Sequence, residues 1–159
     1  MTTVYVDADA CHVREETLRV ASRHGVPAVL VSNGGIRPSR DPMVRVVAVP
    51  EGPDAADRWI AEHAGPGDVV VTADVPLAAR VVEAGAVALG PRGDAFTADN
   101  VGARLATRDL MADLRAANPL ATPSGARPFS KADRSRFLEA LDRMVRAALR
   151  AGGGARGPA

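Results

Sequence analysis

The chain has 159 residues, 47% apolar and 25% charged, which is typical of a soluble globular domain large enough to bury its own core. No apolar run approaches the length of a membrane helix, and the single cysteine, Cys11, excludes a disulfide framework, so we expect a cytoplasmic protein with no membrane partner. The net charge of +1 hides an asymmetry, because residues 1–103 carry −5 and residues 104–159 carry +6. An acidic part beside a basic flank suits a metal site that acts on a polyanion.

Short apolar runs alternate with helical patterns along the chain. The first half of the chain predicts a strand at 4–6, a helix that ends at Gly25, strands at 26–31 and 43–49, and a helix at 54–64. A strand at 68–72, a helix that runs to Gly85, a strand at 86–89 and a polar loop at 90–100 follow. The last part predicts a helix at 101–117, a proline-containing connector at 118–128 and a final helix after a Ser130-x-x-Asp133 capping box.

This order predicts a parallel, doubly wound α/β sheet of five strands with helices at the C-terminal end. We assign residues 1–150 to a single domain. Residues 151–159 read AGGGARGPA and lack the apolar content of a folded segment, so we predict a disordered tail there.

Aspartates follow the predicted strands at the edge where open α/β sheets bind ligands. Asp7 and Asp9 come directly after the first strand, and Asp74 follows the fourth, which can lie beside the first. Asp54 and Asp57, three residues apart at a helix start, can face the same way. Carboxylates forced together repel unless a cation neutralises them, and oxygen-rich sites favour Mg²⁺ or Mn²⁺. We therefore predict that these five aspartates hold one or two such ions.

Each of these acids also has a purely structural interpretation. Asp54 can be a helix N-cap with Asp57 in the first turn, and Asp74 can cap a helix whose first turn contains Pro76. Asp7 is different, because a charge directly after an apolar strand needs a partner or water. The metal interpretation therefore rests on all the acids together.

Two neighbouring residues invite a catalytic interpretation. Cys11 can be a thiolate at a helix start, but its neighbours are acidic, which favours a buried, unreactive thiol. His12 can be a base or a ligand, and the alternative is an ordinary residue at a helix start.

Candidate phosphate contacts lie in the same region and in the basic half of the chain. Arg92 follows the fifth strand, on the same edge as the acids, and Ser32 follows the second strand within a Ser-Asn-Gly-Gly turn. Arg104, Arg108 and Arg115 share one helical face, which can bind a nucleic-acid backbone or only keep the helix soluble.

Several segments resemble, in the same order, the bacterial YaiI/YqxD family: VYVDADACHVREE, GPDAADRWI, DVVVTADVPLAARVVEAGA, LGPRGDAFTADNV and RPFSKADRSRFLEALD. The resemblance runs from about residue 4 to residue 143, although His12 and Arg14 stand where the family typically has Pro and Lys. It implies a PIN-like three-layer sandwich, a fold related to metal-dependent ribonucleases. Asp7 would then match the first-strand aspartate of PIN domains, and Thr72-Ala73-Asp74 their Thr-x-Asp segment.

Three hypotheses about function follow. The first is a PIN-like nuclease that cuts RNA with Mg²⁺ or Mn²⁺, with Asp7, Asp9, Asp57 and Asp74 catalytic and Asp54 an outer ligand. The second is a phosphatase of the haloacid-dehalogenase type, with Asp7 as nucleophile. Such enzymes need a lysine near the phosphate, and the only lysine of this chain, Lys131, lies in the C-terminal region. The third is a module that binds RNA or protein without catalysis. The oligomeric state stays open.

Overall fold

The computed structural model describes residues 2–9, 11–34, 36–52, 54–117 and 128–155. The elements are β1 (Val4–Asp7), α1 (Arg14–His24), β2 (Ala28–Ser32), β3 (Val44–Ala48), α2 (Ala55–His63), β4 (Val69–Val71), α3 (Val75–Glu83), β5 (Val87–Leu89), β6 (Ala95–Phe96), α4 (Val101–Ala117) and α5 (Lys131–Ala155).

The strands form one sheet in the order β3-β2-β1-β4-β5-β6. The first five are parallel, and β6 pairs antiparallel with β5. The predicted α/β class, the mostly parallel sheet and the C-terminal helix are confirmed, but in the described part of the chain the sheet has six strands rather than five. The sixth strand lies in the stretch predicted as a loop. It was not predicted because two residues are too few to produce an alternating pattern.

Two hydrophobic layers cover the two faces of the sheet. Val4 and Val6 of β1 point into the layer built by α1 and α5, whereas Tyr5 points into the layer built by α2 and α3. The same alternation holds in β4, so the sheet is buried on both faces, as continuous valine runs require. The result is a three-layer α/β/α arrangement, consistent with a PIN-like sandwich.

The chain changes direction across the sheet at β1. From β1 it moves outward to β2 and β3, and it then returns to place β4 on the other side of β1. Val6 is paired in register with Val71, so Asp7 and Thr72, the next residue of each segment, lie side by side. The carboxyl ends of β1 and β4 thus form the switch point at which doubly wound sheets bind ligands.

Helix α5 is fixed to the sheet at its first turn. The predicted capping box is confirmed, since the backbone N–H of Ser130 donates to Asp133 and the backbone N–H of Asp133 donates to the Ser130 hydroxyl. The turn between β5 and β6 packs against the same helix, where a Cβ on Gly93 would lie 2.8 Å from the Arg136 backbone. Only glycine fits there, because its φ is also +91°.

Helix α5 extends into the segment that was predicted as a disordered tail. The helix continues to Ala155, so residues 151–155 lie within it. Residues 156–159 and most of the predicted connector, 118–127, lie outside the described residues. None of the helices within the described ranges combines the length and apolar character that a membrane span requires.

Candidate acidic site at the switch point

A pocket of about 180 Å³ opens at the carboxyl ends of β1 and β4. Four of the five predicted aspartates line it, although they come from separate parts of the chain. The lining residues are Asp7, Asp9, Asn33, Gly52, Ala56, Asp57 and Asp74. The fifth, Asp54, is the exposed N-cap residue of α2 at the edge of this cluster.

Asp7 is the buried anchor of the pocket. It ends β1 with only 2% of its surface exposed, and the Thr72 hydroxyl donates to its Oδ2 at 3.1 Å. The same hydroxyl accepts a hydrogen bond from the backbone N–H of Asp74 at 2.9 Å. Thr72 therefore fixes the two acidic segments relative to each other.

Asp74 has two roles in the structure. Its Oδ1 accepts a hydrogen bond from the backbone N–H of Leu77 at 3.0 Å, so it is the N-cap of α3, with Pro76 in the first turn. The capping interpretation of the sequence is confirmed. The same carboxyl group lines the pocket, because α3 starts directly after β4 at the switch point.

Asp57 shows how crowded the pocket is. Its pKa is raised from 3.8 to about 6 by burial, by the charges of Asp74 and Asp7, by a hydrogen bond with Asp74 that only the protonated form of Asp57 can donate, and by the charge of Asp54. The first turn of α2 thus holds a carboxyl group against two others. A proton partly relieves the repulsion between them.

Asp9 closes the mouth of the pocket on the β2 side. The Ser32 hydroxyl donates to its Oδ1, and the backbone N–H of Asn33 donates to its Oδ2, both at 2.8 Å. The hydroxyl that we predicted as a phosphate contact is thus buried and bonded to Asp9. These bonds tie the loop after β1 to the end of β2.

The described residues contain no group of three or more His, Cys, Asp or Glu side chains in a ready metal-binding arrangement. The acids converge on one pocket, but several of their oxygens are bonded to backbone N–H groups and hydroxyls. A shared ion therefore requires some of these carboxylates to turn inward.

Of the predicted phosphate-binding arginines, Arg92, Arg104 and Arg108 are not among the described residues that line the acidic pocket. Arg92 pairs with the buried Asp133 at 2.7 Å. Arg104 pairs with Asp94 at 2.5 Å and lies over the Phe96 ring, 4.6 Å from its centroid.

On the same helical face, Arg108 pairs with Asp109 at 3.5 Å, and both side chains are exposed. The side chain of Arg115 lies outside the described part of the chain.

Cys11 is buried, and burial raises the pKa of its thiol to about 11. The thiol is therefore neutral near pH 7. This agrees with a packing role rather than a nucleophilic one.

Sequence reasoning did not assign roles to two residues of the site. Thr72 appeared only within a motif, and its link between Asp7 and Asp74 depends on the β1–β4 register. Asn33 lines the pocket but was interpreted as part of a turn. Thr72 could have been identified as a polar residue that directly follows a buried strand, β4, beside the acid Asp7 that ends the neighbouring strand β1.

We expect the substitution Asp57→Asn to stabilise the metal-free protein at pH 8 but not at pH 4. The raised pKa means that the Asp57 contribution to stability is full below about pH 4 and is lost as the pH rises through about 6. The variant should gain about 1 kcal/mol at pH 8, because solvent screens part of the repulsion at this half-exposed carboxyl.

Urea denaturation in EDTA at both pH values measures this difference. Asp41→Asn is the control, since Asp41 caps a loop before β3, far from the switch point. A gain for Asp57→Asn that is the same at both pH values would contradict the crowding of the carboxyl groups.

The chain was compared with known proteins. A family model described as "Uncharacterized BCR, YaiI/YqxD family" matches residues 5–147. A UPF0178 protein of Ruegeria pomeroyi is 65% identical over 94% of this chain and 97% of its own length. UPF0178 proteins of Cereibacter sphaeroides and Rhodopseudomonas palustris are 62% and 51% identical, over 99% and 92% of this chain and 96% and 91% of their own lengths. No solved structure gives a significant match.

Proposed function

The chain belongs to the YaiI/YqxD family, and we propose that it is a Mg²⁺- or Mn²⁺-dependent nuclease that hydrolyses RNA phosphodiester bonds at the acidic pocket. One observation carries this proposal. Aspartates from β1, α2 and the start of α3 line one pocket, where burial first, and then the charges of Asp74 and Asp7, raise the pKa of Asp57 to about 6. Such crowding opposes folding, and charged groups with perturbed pKa values concentrate at functional sites.

The chemistry of the donor set fits a hard divalent cation. The side chains on offer are carboxylates, which suit Mg²⁺ and Mn²⁺ better than softer metals. Asp7, Asp57 and Asp74 would hold the ion, with Asp9 at the mouth and Asp54 outside. A cation there would relieve the repulsion among these carboxyl groups that contributes to the raised pKa of Asp57.

When bound, such an ion lowers the pKa of a water molecule and stabilises negative charge on phosphate oxygens. The protein's own part is positioning. Thr72 holds Asp7 against the start of α3, and the N-cap bond to Leu77 fixes Asp74. Asp57, whose pKa is raised to about 6, would have to be deprotonated to hold the ion, so metal binding should strengthen as the pH rises through about 6.

The same acids explain why activity should depend absolutely on a metal. An RNA backbone carries one negative charge per phosphate, and a pocket lined by Asp7, Asp9, Asp57 and Asp74 repels it. A bound cation would offset that repulsion. Chelation should therefore abolish both productive binding and hydrolysis.

The direct test is to incubate the purified protein with end-labelled RNA in Mn²⁺ and to separate the products. We expect cleavage that EDTA abolishes and that excess Mn²⁺ restores. The same protein should not hydrolyse p-nitrophenyl phosphate, the probe for the phosphatase hypothesis. Failure to cut RNAs with single-stranded, hairpin and duplex regions would contradict the proposal, and aryl phosphate hydrolysis with a phosphorylated Asp7 would favour the phosphatase.

A further inference from the structure

A second and larger cavity lies next to the acidic pocket. This groove, of about 550 Å³, is lined by residues of the loop after β1 and the start of α1: Ala8, Asp9, Cys11, His12, Arg14, Glu15 and Glu16. Asp9 lines both cavities, so the groove adjoins the acidic pocket. Its volume lies in the range of small-ligand sites.

An aromatic pair stands at this groove. The exposed ring of His12 meets the ring of Phe129 edge to face, with centroids 4.5 Å apart and an interplanar angle of 90°. Phe129 is partly buried and packs against the core beside α5. The imidazole is thus held by a ring that is itself anchored, which orients it without burying it.

The charges of the groove decide which part of a nucleotide can lie there. Asp9, Glu15 and Glu16 face it, and Glu16 is paired with Arg134 of α5 at 3.7 Å. Arg14 is the one cation among the residues that line it in the described chain. A phosphate would be repelled by these carboxylates, whereas a nucleobase is neutral and offers N–H groups to them.

We propose that this groove binds an unpaired nucleobase of the RNA substrate, stacked on His12, next to the phosphate that the acidic pocket would hold. The assignment rests on the proposed nuclease function for its substrate class. It makes His12 a positioning residue rather than a base or a metal ligand. Stacking of this kind needs a base turned out of a helix, so the preferred substrate is single-stranded RNA.

The test measures binding separately from hydrolysis. Fluorescein-labelled single-stranded oligocytidine and a duplex of the same length are titrated with the full chain in Ca²⁺, and binding is followed by fluorescence anisotropy. We expect His12→Ala to weaken single-strand binding about ten-fold. His12→Phe, which keeps an aromatic face but no nitrogen, should bind like the wild type.

The matched control is His63→Ala. His63 is also an exposed histidine stacked on an aromatic ring, Trp59, but it lies at the end of α2 away from the acidic pocket. Its removal should leave RNA binding unchanged.

Three results would overturn the groove assignment: no binding of the single strand by the wild type, wild-type binding by His12→Ala, or an equal loss in His12→Phe and His12→Ala. The last would indicate a role for the imidazole nitrogens. The two proposals fail separately. RNA cleavage with an unchanged KM in His12→Ala would overturn only the assignment of the groove. RNA binding that depends on His12, without cleavage in Mn²⁺, would overturn only the proposed nuclease activity.

Discussion

Replacing Asp7 by asparagine is expected to lower the rate of Mn²⁺-dependent RNA hydrolysis about a thousand-fold, because a buried carboxyl group that would hold the metal is lost. The fold should survive, since asparagine has the same shape and can still accept the hydrogen bond from Thr72. The loss should appear in kcat with labelled RNA under saturating metal. Circular dichroism of the variant should match that of the wild type.

Two further variants sharpen this result. Asp74→Asn should lose activity to a similar extent while keeping α3 intact, because asparagine is as good an N-cap as aspartate. Asp41→Asn should retain full activity, since Asp41 lies in the loop before β3. Wild-type activity in Asp7→Asn would show that any hydrolysis observed does not depend on this pocket.

Much of the fold could be predicted because the signals are local. Valine runs such as 69–71 indicate buried parallel strands, and Gly25, which adopts a φ of 65°, ends α1 where the sequence predicts a stop. The sixth strand could not be predicted. Its two residues are defined by pairing with β5, a contact that depends on the turn around Gly93 packing on α5.

The site was accessible to sequence reasoning for a related reason. Acids that follow parallel strands lie at the same edge of the sheet, and the sequence allowed the first and fourth strands to be neighbours. The structure pairs β1 with β4, which brings Asp7 and Asp74 to one pocket. The arginines could not be assigned in this way, because the partner of a surface side chain depends on which residues the tertiary fold places next to it. Arg92 lies after β5 and Arg104 lies on α4, as predicted. Instead of lining the acidic pocket, they pair with Asp133 and Asp94.

Mn²⁺ is expected to stabilise the wild-type protein and to lose this effect in Asp74→Asn. A ligand that binds only the folded state at a hundred times its Kd contributes about 2.7 kcal/mol, which for a chain of this length raises Tm by about 5–10 °C. In EDTA the variant should be at least as stable as the wild type, because one of the crowded charges is gone.

Differential scanning calorimetry at pH 7.5 with and without Mn²⁺ measures both effects. Asp41→Asn should show the full wild-type shift. An equal Mn²⁺ shift in wild type and Asp74→Asn would mean that the ion binds elsewhere on the protein.

If the proposed function is right, separate acidic segments meet around one divalent cation. The most direct measurement is an anomalous difference map from crystals grown with Mn²⁺. We expect a peak in the pocket within about 2.2 Å of carboxylate oxygens of Asp7 and Asp74, with Asp57 turned toward it. An empty pocket in crystals that bind Mn²⁺ at other sites would overturn the proposal.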